Sequence, residues 1–179
     1  MVIDERGSNQ LSALARVHDL FERASISYWL FGGWAVDFYV GSVTRAHDDV
    51  DIAVWLDDLP EITRLLADDG WRHEPSEDDD GGTGFERETV RLELTFLVRD
   101  GDGTIFTPLR NGRASWAEET FANDVRELHG VRARILALAA LTLGKSSPRD
   151  EPEEAAKDRM DFNVLSRLTR DAPVREDPR

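Results

Sequence analysis

The sequence predicts an α+β protein with one main domain of helices and strands, followed by a helical C-terminal region. The chain has 179 residues, of which 40% are hydrophobic, so it can bury one good core but not two full-sized ones. Apolar residues recur at helical spacing near both ends, whereas the middle holds short apolar runs and one strictly alternating segment. The first pattern is typical of amphipathic helices and the second of strands.

The helices predicted in the N-terminal part of the chain depend on apolar spacing and on residues that begin or end helices. Each apolar stripe is expected to face the core rather than a ligand. The predicted helices cover residues 11–24, after the cap-like Ser8 and Asn9; residues 34–40, closed by Gly41; and residues 60–70, closed by Gly70.

The predicted strands are short apolar runs or alternate between apolar and polar residues. Residues 90–96 alternate strictly, which places Arg91, Glu93 and Thr95 on one face of a half-buried strand. Residues 74–84 are acidic and rich in glycine, and they are expected to form a loop or lid. The predicted strands cover residues 28–31, 50–55, 90–96 and, after a glycine turn, 105–106.

The C-terminal part of the sequence predicts helices. Residues 131–143 are largely apolar and are expected to form a buried helix, and residues 153–168 are expected to form a last one. We therefore expect a catalytic domain over residues 1–110, a helical subdomain over residues 111–170 and a flexible tail over residues 171–179.

Composition and charge narrow the class of partner and the compartment. The chain has 22 Lys+Arg against 36 Asp+Glu and a formal net charge of −14, which argues against nucleic acid because phosphate backbones need a basic surface. The charge suits a cationic small molecule; a surface that only keeps the protein soluble is the alternative. The lack of cysteine, of a signal peptide and of a membrane-length apolar run predicts a cytoplasmic protein without a membrane partner.

Three Asp-x-Asp pairs occur in this acidic chain, and their context separates them. The first pair flanks Val50 where the chain enters a predicted strand, so both side chains point to one side and can share a hard divalent cation. The second lies in the acidic loop and the third in a glycine turn, where the charges are solvated. The alternative for the first pair is a loop cap and an ion pair with Arg45. The pairs are Asp49/Asp51, Asp78/Asp80 and Asp100/Asp102.

A third carboxylate, Glu93, lies on the polar face of the alternating strand. Three converging carboxylates are typical of phosphoryl transfer, in which two ions about 3.5–4 Å apart clamp a nucleoside triphosphate. The alternative is an exposed Glu93 that pairs with Arg91 or Arg87 across the sheet.

Two other features could meet phosphate. Gly32 and Gly33 follow an apolar strand and precede a helix, which permits close approach of backbone amides to a phosphate group. Lys145 follows Gly144 without the earlier glycine of a P-loop, so it could meet phosphate only as a simple charge.

The segment 29–52, WLFGGWAVDFYVGSVTRAHDDVDI, resembles the signature of aminoglycoside 2″-nucleotidyltransferases and of short lincosamide nucleotidyltransferases. The shared pattern is a glycine pair after a strand, Trp34 and Asp37 in the next helix, and then Thr-Arg-x-His-x-Asp-x-Asp. A looser similarity continues through Glu93 to Lys157-Asp158-x-x-Asp161.

The resemblance implies the polymerase-β-like nucleotidyltransferase fold, in which helices flank a mixed sheet. It implies transfer of a nucleoside monophosphate, usually AMP, from ATP or another nucleoside triphosphate to a hydroxyl group of an antibiotic, with Mg²⁺, for which the three carboxylates predict two ions. By the same resemblance, Asp49, Asp51 and Glu93 would bind the metal and Glu93 would act as base. Gly33 would lie against the triphosphate, and Arg45 and His47 would brace the nucleotide or the aspartates.

The acceptor is expected to be an aminoglycoside, with a lincosamide second. Relatives often carry aspartate at the third carboxylate position, so the longer Glu93 could accompany a different acceptor. The acidic residues 77–80 could help to gather a polyamine drug. A transferase that modifies a protein, as in toxin–antitoxin pairs, and a silent nucleotide-binding relative are the alternatives. The sequence leaves open whether the protein is a homodimer.

Overall fold

The computed structural model describes residues 3–76, 79–147 and 150–171, with side chains described up to residue 169. Within these ranges the helices are α1 (Glu5–Ala24), α2 (Gly32–Val40), α3 (Leu59–Asp68), α4 (Leu138–Ser146) and α5 (Pro152–Asp171). The strands are β1 (Tyr28–Leu30), β2 (Val50–Trp55), β3 (Arg72–His73), β4 (Gly82–Arg87), β5 (Val90–Arg99), β6 (Ile105–Leu109), β7 (Gly112–Trp116), β8 (Asp124–Leu128) and β9 (Val131–Ile135). None of the described helices combines the length and apolar character that a membrane span needs.

The strands form one mixed sheet. Its main path is β3-β4-β5-β2-β1-β9-β8, and the β6–β7 hairpin extends from the end of β5. The pairs β2–β5 and β1–β9 are parallel, whereas the other pairs are antiparallel. The mixed sheet with its five helices confirms the predicted α+β class for the described part of the chain.

The two faces of the central strands have different roles. On β2, Ile52 and Val54 are fully buried and lie opposite β1 residues Leu30 and Tyr28. Helix α1 covers this apolar face, where the ring of its Phe21 meets the Tyr28 ring edge-on at 5.8 Å. Because side chains alternate along a strand, Asp51 points to the opposite face. The site must therefore form on the face that α1 does not cover.

Helix α1 begins earlier than the sequence suggested. The predicted cap at Ser8 and Asn9 is wrong, because the side chain of Asp4 caps the helix by accepting a hydrogen bond of 2.8 Å from the Gly7 amide. Ser25 then ends the helix in the left-handed conformation, with φ of 58°.

The predicted helix over residues 131–143 is wrong in its first half. Residues Val131–Ile135 form strand β9, which pairs with β1 and β8, and helix α4 begins only at Leu138. The buried Ala133 and Ile135 alternate with Arg132 and Arg134, which is the period of a strand. His129 and Gly130, with φ of 50° and 79°, form the tight turn between β8 and β9.

The predicted loop over residues 74–84 is also shorter than expected. Strand β4 begins at Gly82 and pairs with β5, and a methyl group on Gly82 would overlap the carbonyl oxygen of Leu94. Its glycines thus serve close strand packing rather than flexibility. Residues 77 and 78 of the acidic loop and residues 172–179 of the expected tail lie outside the described residues. The domain boundary at residue 110 stays a prediction.

Candidate active site

A cavity of about 300 Å³ opens between the start of α2, the loop that leads into β2, and helices α4 and α5. It lies on the face of β2 that carries Asp51. Glu93 is the one predicted site residue that does not line it. The others do, namely Gly32, Gly33, Arg45, His47, Asp49, Asp51 and Lys145.

Asp51 and Glu93 lie directly opposite each other on the parallel strands β2 and β5. Residues in register on neighbouring strands share a face of the sheet, so both carboxylates project toward the side of the cavity. The carboxylate of Glu93 also forms a close ion pair with Arg91, whose Nη1 lies 3.3 Å from Glu86 Oε1. The ion pair that the sequence left as the alternative is therefore present beside the predicted juxtaposition with Asp51.

Asp49 lies in a strongly acidic environment. Burial is the main cause that raises the pKa of its carboxyl group, and the nearby charges of Asp48 and Glu154 raise it further, whereas Lys157 opposes them. A raised pKa means that the charged form is destabilised by its surroundings. This part of the cavity thus has negative charge that a bound cation would relieve.

The two glycines of the predicted phosphate loop, Gly32 and Gly33, lie so close to neighbouring side chains that a β-carbon at either position would overlap them. Gly32 opens α2 with φ of 66°, and a β-carbon there would lie 2.9 Å from the carboxyl carbon of Asp51. A β-carbon on Gly33 would lie 2.5 Å from Arg45 Nη2. The residue before α2, Phe31, supplies no side-chain cap to the first amides of the helix. These amides therefore have no side-chain acceptor at the N-cap, where anions bind favourably.

Arg45 and His47 are held from several sides. Arg45 donates to Asp161 on α5, with Nη2 to Oδ2 at 3.1 Å, and its Nη1 lies 3.1 Å from His47 Nδ1. His47 Nε2 lies 2.6 Å from the buried Asp37 Oδ2. The loop that ends at Asp49 is thereby attached to both α2 and α5.

Lys145 reaches the same cavity from α4. Its ammonium group lies 2.8 Å from Asp158 Oδ1 and 3.0 Å from Asp161 Oδ2. Its side chain is only 11% exposed, so much of its charge is already balanced by these two carboxylates. Asp161 therefore links both predicted phosphate-binding cations to α5.

Several residues that line the cavity carry no role predicted from the sequence. Lys157 Nζ contacts Glu154 Oε1 at 2.7 Å and Asp48 Oδ2 at 2.9 Å, and these carboxylates raise the pKa of the lysine. The spacing of Glu154, Lys157 and Asp161 on one helical face was a signal that could have found them. Trp116 also lines the cavity, but it lies on β7, a strand that no clear sequence pattern predicted.

The family model for aminoglycoside-2″-adenylyltransferases matches residues 13–165, which is most of the chain. The chain belongs to this family. The match confirms the resemblance seen in the sequence. It extends beyond the glycine pair and Asp49/Asp51, through β5 and as far as Leu165 on α5.

Short segments of this chain are also similar to individual resistance proteins. A lincosamide resistance protein of Staphylococcus haemolyticus is 39% identical over 56 residues, which are 31% of this chain and 35% of that protein. A 2″-aminoglycoside nucleotidyltransferase of Escherichia coli is 33% identical over 45 residues, which are 25% of each chain. The matched segments thus span about a third and a quarter of these relatives' own lengths.

Solved structures of antibiotic adenylyltransferases share the fold over nearly the whole chain. The lincosamide antibiotic adenylyltransferase LnuA, bound to lincomycin, superposes with a TM-score of 0.69 and 24% identity, covering 87% of this chain and 95% of LnuA. ANT(2″)-Ia in complex with adenylyl-2″-tobramycin superposes with a TM-score of 0.65 and 17% identity, covering 90% of each chain. These superpositions confirm the predicted nucleotidyltransferase fold.

We expect Gly33→Ala to weaken binding of Mg-ATP by about tenfold, which corresponds to about 1.4 kcal/mol. The added methyl group must displace Arg45 or His47, although both are held by hydrogen bonds. Isothermal titration calorimetry would measure the effect. Gly144→Ala is the matched control, because a methyl group added there, also beside the cavity, meets no atom within 4 Å. Equal ATP affinity in both variants would contradict a phosphate-binding role for this turn.

Proposed function

We propose that this protein is a Mg²⁺-dependent nucleotidyltransferase that moves AMP from ATP to a hydroxyl group of an antibiotic, with an aminoglycoside favoured over a lincosamide. The observation that carries the proposal is the parallel register of Asp51 with Glu93, beside Asp49 and the glycine-lined start of α2. Membership of the adenylyltransferase family supports nucleotide transfer as the chemistry of this arrangement.

The residues present fit a magnesium ion that arrives with its nucleotide. No group of three His, Asp or Glu side chains within the described ranges is ready to hold a metal alone. Mg²⁺, however, is usually held by one or two carboxylates together with substrate phosphates. Asp49 and Asp51 offer such hard oxygen ligands, and because burial and nearby carboxylates raise the pKa of Asp49, a bound cation would stabilise its charged form. We assign the metal to these two aspartates, with Glu93 as the third predicted ligand.

When bound, Mg²⁺ would neutralise phosphate charge in the transition state. The protein's own contribution to nucleotide binding is a set of donors on one side of the cavity. The amides at the start of α2 can donate to phosphate oxygens, since Gly33 carries no side chain to keep the phosphate away. Arg45 adds a fixed guanidinium group, and Lys145 adds a weaker charge because Asp158 and Asp161 already balance it.

Transfer requires that a hydroxyl oxygen of the acceptor attack the α-phosphorus of ATP. The bond between that phosphorus and the pyrophosphate oxygen breaks, and the hydroxyl proton must go to a base. We assign this proton to the carboxylate of Glu93, which lies on the strand beside Asp51. To take this proton, Glu93 would leave its ion pair with Arg91.

The charge of the cavity supports a cationic acceptor. Asp48, Asp49, Asp51 and Glu154 line it, and its three cations, Arg45, Lys145 and Lys157, already pair with α5 carboxylates. While Asp49 and Asp51 hold the metal, ammonium groups of an aminoglycoside could share Asp48 and Glu154 with Lys157 as they leave water. A lincosamide remains the second candidate, because the stretch of 39% identity is to a lincosamide resistance protein.

Purified protein incubated with labelled ATP, Mg²⁺ and a panel of drugs is expected to release pyrophosphate with at least one aminoglycoside. Mass spectrometry of the drug should then show the added mass of one AMP group. If only lincosamides are modified, a lincosamide would replace the aminoglycoside as the proposed acceptor. Label found on protein, with no drug modified, would contradict the antibiotic as acceptor. A drug-free reaction provides the background of ATP hydrolysis.

A further inference from the structure

Asp37 is a fully buried carboxylate on α2 with defined donors on both of its oxygens. Its Oδ1 accepts hydrogen bonds from Thr44, at 3.0 Å from the amide and 2.5 Å from the hydroxyl group. Its Oδ2 lies 2.6 Å from His47 Nε2. The function proposed above gives Asp37 no role, although burial of a carboxylate is costly unless its hydrogen bonds are satisfied.

The hydrogen bonds of His47 determine which of its ring nitrogens carries the proton. Its Nδ1 faces Arg45 Nη1 at 3.1 Å, and a guanidinium group can only donate. Nδ1 must therefore accept, so the proton of the neutral ring lies on Nε2 and is donated to Asp37. The ring itself is buried and packs against Trp34 with centroids 4.5 Å apart. This packing fixes the plane in which both hydrogen bonds are made.

Arg45 is thus held by three partners, Asp161, His47 and the carbonyl oxygen of Ala46, which accepts from Nη1 at 3.0 Å. Asp161 on α5 accepts from Nε at 3.3 Å and from Nη2 at 3.1 Å, and His47 accepts from Nη1. Arg45 lines the cavity beside Gly33. These hydrogen bonds therefore decide the direction in which its guanidinium group faces the cavity.

We propose that Asp37 is a positioning residue: it holds His47 as the Nε2–H tautomer, so that Nδ1 can accept from Arg45 and direct the guanidinium group toward the triphosphate. A hydrogen bond made by one ring nitrogen commonly sets the role of the other in this way. The inference rests on the proposed function in one respect, namely that Arg45 binds the nucleotide.

Asp37→Asn tests the inference because it changes one acceptor into a donor at nearly constant volume. The Thr44 amide can only donate, so the asparagine oxygen should turn toward Thr44 and its NH₂ group toward His47 Nε2. His47 would then have to carry its proton on Nδ1, opposite the guanidinium donors of Arg45. We expect the Kd for Mg-ATP to rise by about tenfold or more, as expected for the loss of a hydrogen bond to a charged group.

The tautomer can be measured directly by ¹⁵N NMR of labelled histidine, with His47→Gln used to assign the signals. Wild-type His47 is expected to show Nε2–H, and Asp37→Asn to show Nδ1–H together with weaker ATP binding. A wild-type ring protonated on Nδ1 would overturn the proposal without any variant, so the test does not depend on whether Asp37→Asn folds. A switched tautomer with unchanged ATP affinity would also overturn it.

Thr44→Val is the matched control, because it removes the hydroxyl donor to Asp37 Oδ1 but keeps the amide donor and the contact with His47. We expect its tautomer to be that of the wild type and its Kd for Mg-ATP to change by less than about twofold, as for a small local change. Neither readout requires an acceptor. Failure of the drug panel would therefore count against the proposed function alone, whereas the NMR result would count against the role of Asp37.

Discussion

Asp51→Asn is expected to lower the rate of AMP transfer by about a thousandfold or more, a change of about 4 kcal/mol in the activation barrier. The substitution removes a charged oxygen ligand while preserving the shape of the side chain. Asp51 lies on a central strand directly opposite Glu93, so the sheet register sets its place beside this other predicted ligand. Pyrophosphate release with the best drug of the panel measures the effect.

The control for this variant is Asp57→Asn, which makes the same chemical change at an exposed position just after β2. It should transfer at the wild-type rate. Circular dichroism and thermal unfolding of both variants would show whether the fold is retained. Undiminished transfer by a folded Asp51→Asn protein would remove Asp51 from the metal site.

Glu93→Gln is expected to slow transfer by about a hundredfold to ten-thousandfold, the range expected for loss of general-base catalysis. Glutamine keeps the length of the side chain but cannot take the acceptor's proton. If Glu93 acts mainly as base, the Kd for Mg-ATP should stay close to that of the wild type. Single-turnover kinetics, with ATP affinity measured separately, would distinguish a slower chemical step from weaker binding.

Glu86→Gln is a matched control for the Glu93 variant. Both carboxylates pair with Arg91, so each substitution weakens an ion pair of the same guanidinium group. Glu86 lies on β4, away from the residues that line the cavity, and its variant should keep full activity. Equal losses in the two variants would mean that the ion pair matters rather than a base, and Glu93 would lose that role.

The part of the site that could be predicted from the sequence lies in continuous segments with strong local signals. Strands β1 and β2 are short apolar runs that the structure reproduces, and the glycine pair between β1 and α2 lies where a tight turn was expected. The strict alternation around Glu93 predicted its face of the sheet correctly. The pair Asp49/Asp51 was distinguishable from the other two Asp-x-Asp pairs because it lies at the start of a buried strand, where a carboxylate is costly.

Other elements were mispredicted because their sequence signals are weak or ambiguous. Residues of β9 were assigned to a helix, since a short apolar segment can be either a buried helix or a strand until its partner is known. The partner here is β1, which is separated from β9 by about a hundred residues and joins it by parallel pairing. Gly82 was assigned to a loop for a similar reason, because only contact with Leu94 explains a glycine in that strand.

By itself, the sequence determined the α+β class and the glycine turn before α2, and it predicted a site at the carboxylates Asp49, Asp51 and Glu93, because period, turn chemistry and residue type are local properties. Only the tertiary structure decided that Glu93 lies opposite Asp51 while also pairing with Arg91, and that α5 brings Asp161 to Arg45 and Lys157 to Asp48. These contacts join residues far apart in the chain. Their geometry depends on strand register and helix packing, which no single segment contains.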